Sequence, residues 1–254
     1  MMKHPFFVLS ICLLATAPPL AARDTLTVAA AAGIQANFPE LKQAFEQESG
    51  IEIEPVFTSS GKIAAQVEQG APFDVFVSAD VSYPEHLYKS GLAVTPPRVY
   101  VYGALVAWTL GDIAFDKGLT AVLKAPGIRK IALANPKGAP YGRAAMEALR
   151  HYRLLPALQE KIVYGETVPQ VNQFVLSQAA EIGLTAKSTV LTAALKDRGH
   201  WMEIPEEAYR PIAQAAVILK HGEEHRPAAA KRFFDFLFSR TARDIFARQG
   251  YRLP

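Results

Sequence analysis

The 254-residue chain has a single cysteine, no strongly basic stretch, and no apolar run long enough to span a bilayer as a stable helix. Each absence excludes something. Cys12 sits inside an N-terminal apolar run, so once that segment is removed no thiol remains, and disulfides and thiolate metal sites are ruled out. Ile11 before it and Leu13 after it lack the small-residue setting of a lipid attachment site. Lys and Arg total 27 against 24 Asp and Glu, a net charge of only +3, which leaves no electrostatic footprint for nucleic acid. The 18 Pro and 16 Gly are scattered, which excludes a collagen-like or low-complexity polymer, and at 50% hydrophobic and 20% charged residues the chain is too apolar to stay disordered. Its length suits one large domain or two small ones, each with its own core.

The first 22 residues read as a leader. Lys3 and His4 precede the apolar run Pro5–Ala17, and the small-residue stretch Ala17–Ala22 follows, the three-part layout of a secretory signal. Cleavage is expected near Ala22, leaving a soluble, exported mature chain.

From Thr25 onward, short strand-like runs alternate with helical ones. Thr25–Ala30 reads as a buried strand, then Ile34, Phe38, Leu41 and Phe45 recur at spacings of four and three on one helix face that ends at Gly50. Strands are predicted at Ile51–Phe57, Val75–Ala79, Tyr100–Trp108, Lys130–Ala134, Glu181–Thr185 and Ala213–Leu219. Helices are predicted at Lys62–Gln69, Tyr83–Ser90, Arg143–Tyr152 and Val168–Ser177, with two more, rich in Phe, at the C-terminus. Strands separated by helices imply crossover connections and a mainly parallel sheet covered on both faces, an α/β architecture. No internal repeat is visible.

Four segments share one design, in which small or hydroxyl residues follow a strand and precede a helix: Ala31-Ala32-Gly33, Thr58-Ser59-Ser60-Gly61, Ala139-Pro140-Tyr141-Gly142 and Glu166-Thr167-Val168. In open α/β sheets the carboxyl ends of strands face the ligand crevice, and helix N-termini there present unpaired N–H groups that attract anions. Gly33 and Gly61 let a ligand approach the backbone; Ser59, Ser60 and Tyr141 offer hydroxyl donors; Val168 keeps its own amide ahead of Pro169. None of the four segments carries Lys and only Glu166 is acidic. A shell of donors suits a fully deprotonated dianion such as molybdate, tungstate or sulfate better than hydrogen phosphate, whose proton needs an acceptor.

At these same residues the sequence resembles the periplasmic molybdate-binding proteins of molybdate ABC importers. The likeness runs through Val28–Ala32, Phe57–Lys62, Ala134–Gly142, Tyr164–Val168 and Ala180–Leu184, and is most specific in the string Gly70-Ala-Pro-Phe-Asp-Val-Phe-Val-Ser-Ala-Asp80. The resemblance implies a two-lobed α/β fold with the oxyanion in the interlobe cleft, lobe 1 comprising residues 23–100 and 212–254 and lobe 2 residues 101–211. It implies no cofactor and no metal cation, a membrane-embedded ABC permease as partner, a monomer, and a periplasmic location. Ser60 takes the place of the family's second-loop serine ligand, Val168 that of its backbone-amide ligand, and Tyr141 that of a tyrosine used by one branch. The first loop departs: Ala32-Gly33 stands where members carry hydroxyl or amide side chains, and Ala186 stands where another branch has a ligating Tyr. A neighbour such as Gln35 or Asn37 is the candidate replacement.

Other signals compete. His221-Gly-Glu-Glu-His225 matches the H-x-x-E-H pattern of inverted zinc peptidases, so a secreted zinc hydrolase using His221, Glu224 and His225 is the alternative from another class, and a binder of another oxyanion, sulfate above all, or of an organic solute the alternative within binding. Gly222 and Pro227 favour a turn there rather than a metal-bearing helix face. Ser60-Gly-Lys62 lacks the upstream glycine of a phosphate loop, Val56 standing in its place. Asp74 and Asp80 flank a predicted strand as turn and capping groups, Arg143 could lend positive potential to the cleft, and Trp108 and Trp201 are expected in packing.

Overall fold

The computed structural model describes residues 25–113 and 115–254; the leader, its cleavage point and Cys12 lie outside the described residues. The elements are β1 (Thr25–Ala31), α1 (Phe38–Ser49), β2 (Glu52–Thr58), α2 (Ser60–Glu68), β3 (Val75–Val77), α3 (Ser82–Lys89), β4 (Arg98–Gly103) and β5 (Leu105–Thr109). They continue with α4 (Gly118–Lys124), β6 (Ile131–Ala134), α5 (Pro140–His151), α6 (Leu155–Leu158), β7 (Ile162–Gly165), α7 (Val168–Leu176), β8 (Ile182–Ala186), α8 (Lys187–Val190) and β9 (His200–Glu203). The chain closes with β10 (Ile212–Ile218), α9 (Lys220–His225), α10 (Pro227–Phe236) and α11 (Arg240–Arg248).

Two five-stranded sheets result, ordered β2-β1-β3-β10-β4 and β7-β6-β8-β5-β9. In the first, β1 pairs in parallel with β2 and β3 while β10 runs antiparallel to β3 and β4. In the second, β6 pairs in parallel with β7 and β8 while β5 runs antiparallel to β8 and β9. Each sheet is therefore mainly parallel, with one reversed strand in the same relative place, a structural echo that the sequence does not display. Phe38, Phe45, Phe233 and Phe236 build an aromatic layer on one face of the first sheet, with edge-on ring pairs 5.2 Å (Phe45–Phe233) and 5.4 Å (Phe45–Phe236) apart. Ile63, Val67, Phe76 and Leu87 fill its other face.

Three expectations needed correction. The apolar run Tyr100–Trp108 is not one strand: it breaks at Ala104 into β4 of the first sheet and β5 of the second, so the chain changes sheet there. An unbroken apolar run carries no periodicity that could mark the break. Ile34 precedes α1 in a short 3₁₀ turn, because Pro39 belongs in a first helical turn and fixes the helix start. Lys220–His225 is helical rather than a turn, giving three C-terminal helices; Pro227 opens the next helix at its first position.

Asp74 is fully buried at the start of β3 and ties the first lobe's segments together. Its Oδ2 accepts the Thr27 amide at 2.8 Å, and its Oδ1 accepts His221 Nδ1 at 2.8 Å and Arg226 Nη1 at 3.4 Å. Gly222 permits this clamp, since a Cβ there would stand 2.4 Å from the Asp74 carbonyl oxygen. Asp74→Ala is expected to destabilise the fold by roughly 1.5–3 kcal/mol, the worth of hydrogen bonds to a buried charge, with ligand affinity unchanged below the melting point. Thermal unfolding followed by circular dichroism checks it.

Candidate functional site

The carboxyl ends of β1, β2, β3, β6 and β7 converge on one small cavity of about 20 Å³ between the sheets. Its walls are the turn Ala31-Ala32-Gly33, the α2 start at Ser59 and Ser60, Ala79 after β3, the α5 start at Ala139, Pro140 and Tyr141, and the α7 start at Thr167 and Val168. All six predicted ligand residues, Ala32, Gly33, Ser59, Ser60, Tyr141 and Val168, line it.

The polar atoms around the cavity are arranged as donors. The amides of Gly33, Ser60, Tyr141 and Val168 have no protein acceptor among the described residues, as first-turn N–H groups do not unless a cap reaches them. Ser60 is fully buried and its Oγ accepts the Ala79 amide at 3.1 Å, which leaves its proton to donate. The Tyr141 hydroxyl accepts Gln214 Nε2 at 3.1 Å and likewise keeps its proton. Burial, reinforced by the neighbouring phenols of Tyr251, Tyr100 and Tyr209, pushes the Tyr141 pKa well above the ordinary tyrosine value, so this donor is neutral at physiological pH. At Gly33 a Cβ would lie 3.5 Å from the Tyr141 ring and 3.8 Å from Val168, ordinary contact distances. The glycine therefore keeps the amide face open rather than relieving a clash.

Charges near the cavity are paired away from it. Lys62 and Glu166 meet across the cleft at 2.7 Å, and hydrogen bonding to Lys62 holds the Glu166 pKa below the usual carboxylate value. Arg143 pairs with Asp80 and donates to the Tyr83 hydroxyl at 3.2 Å, so its charge is spent bridging the lobes rather than facing the cavity. Gly61 is also a lobe contact and not an anion donor: its amide donates to Gly138 O at 3.0 Å, and a Cβ there would stand 3.0 Å from Gly138 Cα. Asn37 is committed as well, its Nδ2 donating to Ser188 O at 3.2 Å, while Gln35 is exposed. Neither residue lines the cavity. Ala186 is buried at the end of β8, outside the cavity wall.

The His221-x-x-Glu224-His225 side chains lie in lobe 1, away from this cavity. The two rings stack at 4.3 Å, His221 Nδ1 is held by Asp74, His225 Nδ1 is 3.0 Å from the His221 carbonyl, and Glu224 is 3.7 Å from Lys220. Among the described residues no three His, Cys, Asp or Glu side chains are grouped to hold a metal ion. Trp108 is fully buried, its Nε1 donating to Arg198 O at 2.9 Å.

A model of the family described as "bacterial extracellular solute-binding protein" matches residues 26–252. The chain belongs to that family. It is 37% identical to the molybdate-binding protein ModA of Rhodobacter capsulatus, over 87% of this chain and 86% of the relative. The solved structure of the Azotobacter vinelandii periplasmic molybdate-binding protein superposes with a TM-score of 0.85 at 35% identity, covering 90% of this chain and 99% of that one. These matches bear out the resemblance and the two-lobed fold read from the sequence. The sulfate-binding protein SubI of Mycobacterium tuberculosis shares the fold, with a TM-score of 0.73 at 14% identity over 91% of this chain and 87% of that one.

Sequence reasoning missed Gln214. Its signal is a lone polar residue inside the apolar strand Ile212–Ile218, a placement that costs stability unless both ends of the amide are bonded.

Proposed function

We propose that this protein is the exported solute-binding component of an ABC importer that captures molybdate, and tungstate with it, and delivers the ion to a membrane permease. The reading is that of a monomer whose two lobes, with the expected boundary at residue 100 moved to the sheet change at Ala104, close on the ligand by hinge motion. Cleavage near Ala22 releases it to the periplasm. The observation that carries the proposal is the convergence of unpartnered first-turn amides and two hydroxyl protons from both lobes on one small cavity whose nearby carboxylates are all paired. Donors without a free acceptor select a dianion that carries no proton. The cavity is too small for a large organic solute, and the two proteins named above that are at least 35% identical to this chain are molybdate-binding proteins.

Donors fixed in place and shielded from water are each worth about 1.5–3 kcal/mol when the partner is charged, so five or six suffice for sub-micromolar affinity after association costs. Calorimetric titration of the mature protein with molybdate, tungstate, sulfate and phosphate tests this. Heat and a raised melting temperature are expected with the first two. A response to sulfate alone would reassign the ligand, and no response to any of the four would reject the reading.

A further inference from the structure

Gln214 lies on β10 of the first sheet, 2% exposed, where the pairing with β4 shifts register between Gln214 and Ala215. Both ends of its amide are used. Tyr100, from β4, donates its hydroxyl to Gln214 Oε1 at 2.9 Å, and Gln214 Nε2 donates to the Tyr141 hydroxyl at 3.1 Å. Gly103 makes room for the junction, since a Cβ there would fall 2.2 Å from the Tyr141 hydroxyl oxygen and 2.8 Å from Gln214 Nε2. The chain of bonds thus starts in the first lobe, passes the point where the backbone changes sheet, and ends on a cavity residue carried by α5 of the second.

Its direction is chemically determined. A phenol has one proton, and Tyr141 can give that proton to a ligand only if its other partner approaches as a donor. With the amide reversed, Tyr141 would donate to Oε1, and the buried Tyr100 proton would lose the only acceptor it has among the described residues, a cost the observed orientation avoids. Burial raises the pKa of Tyr100 as it does that of Tyr141, so both phenols keep their protons.

We infer that Gln214 is a positioning residue for the oxyanion, holding the Tyr141 hydroxyl with its lone pair occupied and its proton turned to the cleft. Because the bond joins the two lobes, the donor is oriented only when they meet. The inference rests on the oxyanion reading of the same cavity.

The test is a double-mutant cycle read by molybdate calorimetry on the wild-type chain, Gln214→Leu, Tyr141→Phe and the double variant. Gln214→Leu is expected to weaken binding about tenfold, the scale of one hydrogen bond, and to cost less than about twofold more once Tyr141 is Phe. Gln214→Met, of similar length, replaces it if the Leu variant fails to fold. An equal loss in both backgrounds makes the role purely structural and overturns the inference, as does wild-type affinity in the single Gln214 variants. If Ser60→Ala weakens binding while the Gln214 variants do not, the inference alone fails. If the wild-type chain takes up no molybdate, the functional reading fails first.

Discussion

Gly142→Ala is expected to cost about 3 kcal/mol of stability, the upper end for forcing extra atoms into a packed interior. A Cβ at residue 142 would lie 2.0 Å from the Ala134 carbonyl oxygen, 2.7 Å from its carbon and 3.1 Å from the Asn135 carbonyl carbon. All three are backbone atoms, so no side chain can swing away. The backbone they belong to is itself pinned: the Asn135 amide donates to Gly165 O at 2.7 Å, and the Ala139 amide donates to Asn135 O at 2.9 Å. Relief therefore requires the first turn of α5 to lift off the end of β6, and that turn carries Tyr141. Stability and molybdate affinity should fall together, the latter by roughly tenfold or more if a single donor is lost. Gly127→Ala is the control, with nothing within 4 Å of its Cβ, and should stay within about 0.5 kcal/mol of wild type. Thermal melts and calorimetry on both variants separate the outcomes; an unaltered Gly142→Ala protein would show that α5 is not seated as described.

How far the sequence disclosed this molecule depends on what kind of signal each feature leaves. Helices with a clear face and a marked end were legible: Phe38, Leu41 and Phe45 followed by left-handed Gly50 (φ 72°) define α1, and the helices opening at Ser60, Pro140 and Val168 were placed within a few residues. The cavity residues were legible for the same reason, since small and hydroxyl residues at helix starts have a local purpose that can be read locally. The sheet change at Ala104 was not, because both sides of it are equally apolar and only the partner strand differs. Edge strands β7 and β9 escaped notice because they are short and half-exposed, with weak alternation. Long-range pairing was the least accessible. Nothing local tells that Arg143 will be neutralised by Asp80 or that Gly61 will give its amide to Gly138, and these pairings turn an expected field source and an expected anion donor into lobe-to-lobe contacts.

Ser60→Ala is expected to weaken molybdate binding by about 10- to 150-fold, equivalent to the roughly 1.5–3 kcal/mol of a charge-assisted hydrogen bond. The size of the effect follows from the hydroxyl's surroundings. It is fully buried, so in the variant no bulk water can stand in for the lost donor, and its oxygen already accepts the Ala79 amide, which leaves the proton for the ligand. Removing Oγ also frees that amide, which lines the same cavity and becomes able to turn toward the anion, so the lower end of the range is reached if it does. The free protein meanwhile loses the Ala79 bond and should melt earlier by an amount corresponding to about 1 kcal/mol. Lys62→Ala, two residues along the same helix, provides the contrast: its pair with Glu166 crosses the cleft but both side chains are more than half exposed, so affinity should change by no more than about threefold. Calorimetry on the two variants decides between a ligand held by neutral dipoles and one held by a cation, because the second mechanism requires Lys62→Ala to be the more damaging change.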